Sequence, residues 1–148
     1  MLKLSTQARY ALRAMIELST NEGNGPLLLR DIAAAQKLPA KYLEQLIVRL
    51  RHAGLVLAER GPRGGYRISR PAHRITALDV VEAVEGPIDL LDCVRTPSVC
   101  ERTQICAARG LWGRVSHAIA AVLSETTLAD LRDEERVARA EGIACYQI

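Results

Sequence analysis

The segment LPAKYLEQLIVRLRHAGLVLAERGPRGGYRIS, residues 38–69, contains a helix pattern followed by a hairpin pattern. Pro39 suits a first helical position, and Gly54 suits a helix end. Between them, apolar residues recur with the i, i+3, i+4, i+7 spacing of one helix face, at Leu43, Leu46, Ile47 and Leu50. The segment therefore predicts a helix over residues 39–53 that buries this face.

A basic β-hairpin is predicted directly after that helix. Two runs of strand-forming residues, 55–59 and 65–69, flank the turn Gly61-Pro-Arg-Gly64. The glycines supply the unusual dihedral angles that a tight turn needs. Arginines in and beside this turn give the hairpin a positive charge.

Two further helix patterns precede the segment. Ser5 can cap a first helix, which the glycine-containing stretch 21–26 ends, and a short helix is predicted over residues 30–37. A short helix, a tight turn, a second helix and a basic hairpin occur in this order in a winged helix-turn-helix, whose second helix enters the major groove of DNA. We therefore predict a mainly α fold with a winged helix-turn-helix DNA-binding region over residues 1–75.

The distribution of charge supports this interpretation. Residues 1–75 contain 13 Lys and Arg against 5 Asp and Glu, whereas residues 76–148 contain 7 against 12. A basic half of this kind is typical of a surface that binds duplex DNA.

Polar side chains project outward or along the flanks of the second helix once its apolar face is buried. Gln45 could read adenine, and Lys41 or Arg49 could bind guanine or phosphate. An arginine at the tip of the wing suits a narrow minor groove. The predicted DNA contacts are Lys41, Tyr42, Gln45, Arg49, Arg60, Arg63 and Arg67.

The second half of the chain is predicted to be helical around one loop. The connecting region, residues 76–107, is predicted to contain a helix over 76–85 and a loop over 88–102 that carries Cys93 and Cys100. The last region, residues 108–148, is predicted to contain a dimerisation helix and a C-terminal helix. The long helix, predicted to begin near residue 104, carries apolar residues at the 3-4-3 spacing of a coiled-coil seam. The residues predicted to join two subunits, as a homodimer on a palindromic operator, are Trp112, Val115, Ile119 and Val122.

Three cysteines lie close together in the connecting region, at Cys93, Cys100 and Cys106, whereas Cys145 stands alone. No apolar run approaches the length needed to cross a membrane, and basic residues interrupt the N-terminus where a signal peptide would be apolar. We therefore expect a cytoplasmic protein with no membrane partner. Thiols stay reduced there and are available for metal or redox chemistry.

The bacterial regulators typified by IscR and NsrR have characteristic segments that four stretches of this chain resemble. The stretches are Leu4-Ser-Thr-Gln-Ala-Arg-Tyr10-Ala, Leu38-Pro-Ala-Lys-Tyr-Leu-Glu-Gln-Leu46, Arg60-Gly-Pro-Arg-Gly-Gly-Tyr-Arg67 and Cys106-Ala-Ala-Arg109-Gly-Leu-Trp112. The resemblance implies a homodimeric winged-helix transcription factor. It also implies that Cys93, Cys100 and Cys106 are ligands of an iron–sulfur cluster.

The fourth ligand of such a cluster is not identified by the resemblance. In IscR-like proteins a histidine stands three residues after the third cysteine, where this chain has Arg109, whose protonated guanidinium cannot ligate. Residues 6–9 also lack the carboxylate that NsrR-like proteins can use. The remaining donors are Glu101, Asp92, Gln104, water or a thiol, so both 2Fe–2S and 4Fe–4S clusters stay open.

The function predicted from these features and from the resemblance is that of a DNA-binding transcriptional regulator. Its operator binding is controlled by an iron–sulfur cluster that senses iron–sulfur status, oxygen or redox state, or nitric oxide. Repression is the expected mode, although the sequence does not distinguish a repressor from an activator. Two alternatives keep the DNA-binding role and replace the cluster with zinc or with reversible oxidation of thiols near Arg95 and Arg102. A third alternative is a small iron–sulfur electron carrier, which the basic half and the wing disfavour. The sequence contains no acid–base or nucleophile constellation, so no enzymatic activity is predicted.

Overall fold

The computed structural model describes residues 4–142 and confirms the mainly α, winged helix-turn-helix fold. The helices are α1 (Thr6–Thr20), α2 (Leu29–Gln36), α3 (Ala40–His52), α4 (Ala77–Glu85), α5 (Asp92–Arg95), α6 (Ala107–Glu125) and α7 (Leu128–Ala140). The strands are β1 (Val56–Glu59) and β2 (Gly65–Ile68), and short 3-10 helices occupy Ala72–Arg74 and Pro97–Val99.

Helix α1 lies at the centre of the fold and contacts α2, α3, α4 and α7. Ser5 caps it by accepting a hydrogen bond from the backbone N–H of Ala8 at 3.2 Å. Three small residues on its buried face, Ala8, Ala11 and Ala14, allow the neighbouring helices to approach closely. Met15 and Leu18 are buried on the same helix. The face predicted for α3 is confirmed, and its four apolar residues are at most 2% exposed.

The wing, residues 56–68, is an antiparallel pair of strands whose register runs from Val56 opposite Ile68 to Glu59 opposite Gly65. A third backbone segment, which the sequence pattern did not predict, pairs with β2. Leu27 and Tyr66 exchange two backbone hydrogen bonds of 2.8 Å each. This pairing anchors the turn end of β2 to the segment that precedes α2.

Gly65 is required by the close approach of this third segment. Its φ is +147°, and a Cβ added here would lie 2.3 Å from the carbonyl oxygen of Leu27. We expect Gly65→Ala to lower the free energy of unfolding by about 2 kcal/mol or more, because backbone strain and a backbone clash act together. Chemical denaturation measures this loss.

Gly110→Ala is the matched control, since no atom lies within 4 Å of an added Cβ at that position in α6. Alanine in a helix interior is favoured over glycine by about 0.5–1 kcal/mol, so this control is expected to be neutral or stabilising. Equal stability of the Gly65→Ala variant and the wild type would contradict the pairing of Leu27 with the wing.

Helices α4 and α7 begin at matching capping boxes. In the first, the Thr76 hydroxyl accepts from the Asp79 N–H at 3.1 Å, and the Asp79 carboxylate accepts from the Thr76 N–H at 2.9 Å. Thr127 and Asp130 repeat this arrangement, and donation by the Thr127 hydroxyl and then its backbone N–H lowers the pKa of the Asp130 carboxyl. The stabilisation from this lowered pKa is present above the ordinary aspartate pKa and is lost as pH falls through the lowered value.

The two capping boxes lie side by side and are joined by backbone hydrogen bonds. The Ala77 N–H donates to the Thr126 carbonyl at 2.8 Å, and the Leu128 N–H donates to the Ile75 carbonyl at 2.9 Å. Helix α7 consequently packs on α1, whereas α6 contacts α4 and α5. The division into regions 1–75, 76–107 and 108–148 stays a prediction.

The prediction of a loop over 88–102 is wrong in part. Residues 92–95 form the short helix α5, and residues 97–99 form a 3-10 helix. An exposed ion pair between Asp92 and Arg95, at 3.7 Å, joins the two ends of α5. Helix α6 begins at Ala107 rather than near residue 104, with Cys106 as its N-cap residue.

Candidate functional site

Helix α3 presents Lys41 and Gln45 to solvent, as predicted for a recognition helix. Tyr42 is half-buried instead, and its ring meets the Tyr10 ring edge to face at a centroid distance of 5.6 Å. An aromatic pair of this geometry fixes the orientation of α3 on α1. The predicted contact of Tyr42 with DNA stays a prediction.

The tip of the wing presents Arg60 and Arg63, which are both exposed. Within residues 4–142 neither side chain forms an ion pair. Arg67 differs, because its guanidinium pairs with the Glu59 carboxylate across the two strands. The charge of Arg67 is therefore partly neutralised within the wing, and the positive potential of the wing is greatest at its tip.

Arg49 forms two hydrogen bonds within the protein. Its Nη1 donates to the side-chain oxygen of Gln7 at 2.6 Å and to the backbone carbonyl of Val84 at 2.9 Å. These acceptors lie at the start of α1 and the end of α4. Arg49 is exposed, and in this structure its guanidinium is engaged by these two acceptors, of which the sequence pattern gave no indication. Its predicted contact with DNA stays a prediction.

The cysteine segment, residues 88–106, holds its three thiols on different local elements. Cys93 is on α5, Cys100 follows the 3-10 helix, and Cys106 occupies the N-cap position of α6 without a side-chain capping bond. All three are half-buried and free of disulfides. Across residues 4–142, no three His, Cys, Asp or Glu side chains are grouped closely enough to hold a metal ion. Cys145 lies outside the described residues.

Hydrogen bonds hold the backbone of the cysteine segment and leave its sulfur atoms unengaged. Arg109, where IscR-like proteins have the histidine, donates from Nε to the Cys93 carbonyl at 2.8 Å. The Thr103 hydroxyl lies 2.7 Å from the Cys100 carbonyl and 2.6 Å from the Pro97 carbonyl. Three free thiols fit the donor chemistry of an iron–sulfur cluster, but their convergence on one cluster requires this segment to rearrange.

Helix α6 presents an apolar face that is largely uncovered. Ser116 is its single buried residue, and the Ser116 hydroxyl accepts a hydrogen bond from the Leu90 N–H at 3.1 Å. Val122 is 63% exposed and Trp112 is 36% exposed. A shallow groove on this face is lined by Arg114, Val115, Ala118, Ile119, Val122 and Leu123. Three of the four residues predicted for the dimer seam therefore share one groove, and Leu123 extends it.

A buried glutamine, which the sequence analysis did not identify, joins the first two helices. Gln36 is 6% exposed; its side-chain oxygen accepts from Arg13 at 3.2 Å, and its side-chain nitrogen donates to Glu17 at 2.8 Å. Burial of an amide requires satisfied partners, so this network fixes α2 on α1. The only available indication was a polar residue at the last position of a short helix.

A three-helix unit, a basic wing and a recognition helix with an exposed polar face define a winged-helix DNA-binding protein. A family model described as "Rrf2: Iron-dependent Transcriptional regulator" matches residues 4–134. The chain therefore belongs to the Rrf2 family of transcriptional regulators, which confirms the resemblance to the IscR-type regulators and the prediction that the protein is not an enzyme.

Solved structures and a curated relative place the chain within this family. The structure of CymR, the global cysteine regulator of B. subtilis, matches with a TM-score of 0.76 and 42% identity over 90% of this chain and 98% of that one. T. potens IscR matches with a TM-score of 0.74 and 34% identity over 99% of this chain and 94% of that one. IscR of Photobacterium profundum is 36% identical over 141 residues, which cover 95% of this chain and 81% of the relative.

No helix within residues 4–142 combines the length and the apolar character that a membrane crossing needs.

Proposed function

We propose that the protein is a homodimeric repressor whose binding to a palindromic operator is controlled by an iron–sulfur cluster on Cys93, Cys100 and Cys106. The observation that carries the proposal is the position of three free thiols on the segment that joins α4, a helix packed on the DNA-binding unit, to α6. The family description as iron-dependent supports it. An iron–sulfur cluster, when bound, supplies iron that responds to electrons, oxygen or nitric oxide.

The residues of the segment have separable roles in this proposal. The three thiolates bind the metal, and Arg109 orients the backbone of Cys93 without ligating. A fourth donor comes from Asp92, Glu101, Gln104, water or another thiol. Because Leu90 is bonded to Ser116 and Arg109 to Cys93, a rearrangement of residues 90–93 that helped to gather the thiols would strain or break these bonds to α6.

Anaerobic purification of the full chain tests the proposal directly. We expect a coloured protein whose sulfide content matches its iron content, with visible bands that distinguish 2Fe–2S from 4Fe–4S. A colourless preparation that also resists reconstitution with iron and sulfide would contradict cluster control and leave the DNA-binding role intact.

A cluster-free regulator that uses zinc or thiol oxidation is the second candidate. The separation of the three thiols in the structure favours its thiol-oxidation form over its zinc form, and the similarity to a cysteine regulator supports a cluster-free mechanism. Zinc bound to the purified protein would support the zinc mechanism. Oxidised cysteines detected by mass spectrometry after mild oxidation would support the thiol mechanism. Membership of a family of transcriptional regulators disfavours the electron-carrier alternative.

The wing tip provides a test of the DNA surface. We expect Arg63→Ala to weaken duplex binding by about tenfold at moderate salt and to reduce the slope of log affinity against log salt by about 1, because one phosphate or minor-groove contact is removed. Gel-shift titrations at several salt concentrations measure both quantities.

Arg136→Ala removes the same charge from an exposed position on α7, outside the predicted DNA contacts, and is expected to leave the slope unchanged. Wild-type affinity and salt dependence in the Arg63→Ala variant would exclude this arginine from the DNA surface.

A further inference from the structure

Arg49 joins three helices that are distant in sequence. It lies in the last turn of α3, and its Nη1 donates to Gln7 at the start of α1 and to the Val84 carbonyl in the last turn of α4. Its two acceptors are separated from it by 42 and 35 residues. The recognition helix is therefore tied through one side chain both to the central helix and to the end of α4.

The bond to Val84 completes the end of α4. The last carbonyls of a helix lack intrahelical donors, and a cation near them is favourable because of the helix dipole. Gly86, with φ of 85°, and Pro87 prevent the helix from continuing. Arg49 supplies both a donor and a positive charge at the point where α4 stops.

The end of α4 is also the start of the path to the cysteine segment. After Gly86 the chain runs to Leu90, which is bonded to Ser116 of α6, and then to Cys93 on α5. A displacement of the cysteine segment therefore acts on the last turn of α4. Arg49 is the side chain through which that turn is hydrogen-bonded to α3.

We infer that Arg49 is a positioning residue that transmits the state of the cysteine segment to the recognition helix. The inference rests on the proposed function, because it requires DNA binding that depends on this segment. With the Val84 bond formed, α3 holds the placement seen here. When the end of α4 moves, the bond is strained or lost, and α3 changes its position relative to the second recognition helix of the dimer.

The variant Arg49→Met keeps most of the apolar stem of the side chain and removes its guanidinium donors. Two measurements on this variant test the inference. The first is amide hydrogen exchange of the cluster-free protein. We expect exchange in residues 81–88 to rise by about fivefold, because the last turn of α4 loses its cap. Unchanged exchange there would overturn the link between α3 and α4.

The second measurement is the ratio of DNA affinities of cluster-loaded and cluster-free protein for one duplex selected with the wild type. We expect a ratio of about tenfold for the wild type, and a ratio within about twofold of one for Arg49→Met. A general loss of affinity that preserved the tenfold ratio would show that Arg49 only contacts DNA or stabilises the fold, and it would overturn the inference.

Arg51→Met is the matched control, since Arg51 is exposed on the same helix and forms no ion pair within the described residues. It is expected to keep the wild-type ratio and the wild-type exchange of residues 81–88. Loss of the ratio in this control as well would contradict a specific role for Arg49. A wild-type ratio near one would contradict the proposed control by the cluster itself, which the exchange measurement distinguishes from failure of the Arg49 link.

Discussion

Ile119→Asp is expected to convert the protein into a monomer that binds a palindromic operator at least about 100-fold more weakly than the wild type. Ile119 lies within the apolar groove of α6, between Val115 and Val122. In a symmetric pair of α6 helices, each new carboxylate would be buried against apolar side chains without a partner, which strongly disfavours association. The two half-sites would then be bound independently, and the gain from linked binding would be lost.

The mass in solution and the DNA affinity measure this effect together. Light scattering after size exclusion gives the oligomeric state, and gel shift gives the affinity. The chain has one tryptophan, Trp112, which lies one turn before the groove and is 36% exposed. Its emission is therefore expected to shift to longer wavelength when the facing subunit is removed.

His117→Asp is the matched control, because His117 is exposed on the same helix and does not line the groove. It adds the same charge to α6 and is expected to leave the dimer intact. Circular dichroism of both variants checks that the monomer retains its helices. Leu123 of the groove packs against the core around α1, whereas Ile119 is not among the residues of that core. A dimer of wild-type affinity in Ile119→Asp would show that this face of α6 does not pair subunits.

The DNA-binding unit could be predicted from the sequence because the residues that repeat with helical spacing in α3 are the residues that the fold buries. The stripe at Leu43, Leu46 and Leu50 predicts one buried helix face, and these three residues are buried in the structure. Local pattern and tertiary packing lead to the same structure there. The third backbone segment at Leu27 was missed because a single bridging residue creates no repeating pattern.

The cysteine segment could not be predicted in the same way, because its conformation depends on long-range hydrogen bonds. Helix α5 has four residues, too few to show a periodic face. Its position is fixed by Arg109 and Ser116, which lie on another helix, at contacts that spacing alone does not specify. The placement of the cysteines on one segment was therefore predictable, whereas the distances between their sulfur atoms were not.

The arginines also differ in whether their surroundings follow from the local sequence or from long-range contacts. Arg60 and Arg63 lie at a glycine turn between two short strands, and their exposure could be predicted from the turn alone. Arg49 lies on a helix surface, where a long flexible side chain reaches any acceptor that the tertiary fold brings near it. Its contact with Val84 depends on the packing of α4 on α3, and a helical pattern in either segment does not reveal it.

Cys100→Ala is expected to remove the visible absorbance of the anaerobically purified protein, with iron content falling at least about tenfold. The reason is that two thiolates would remain from a set of three in a protein that offers no histidine beside them. The substitution leaves the backbone intact, so the bond from the Thr103 hydroxyl to the carbonyl of residue 100 is retained. The loss would therefore report on the thiol and not on the fold of the segment.

Cys145→Ala removes a thiol from outside the predicted ligand set and serves as the control. It is expected to keep the full spectrum and the same ratio of iron to sulfide as the wild type. Retention of the full spectrum in Cys100→Ala would remove Cys100 from the ligands, and loss of the spectrum in Cys145→Ala would add a fourth thiolate. A cluster held by three thiolates and one weaker donor would leave one iron less firmly held, so this comparison also tests whether the proposed cluster has such an iron.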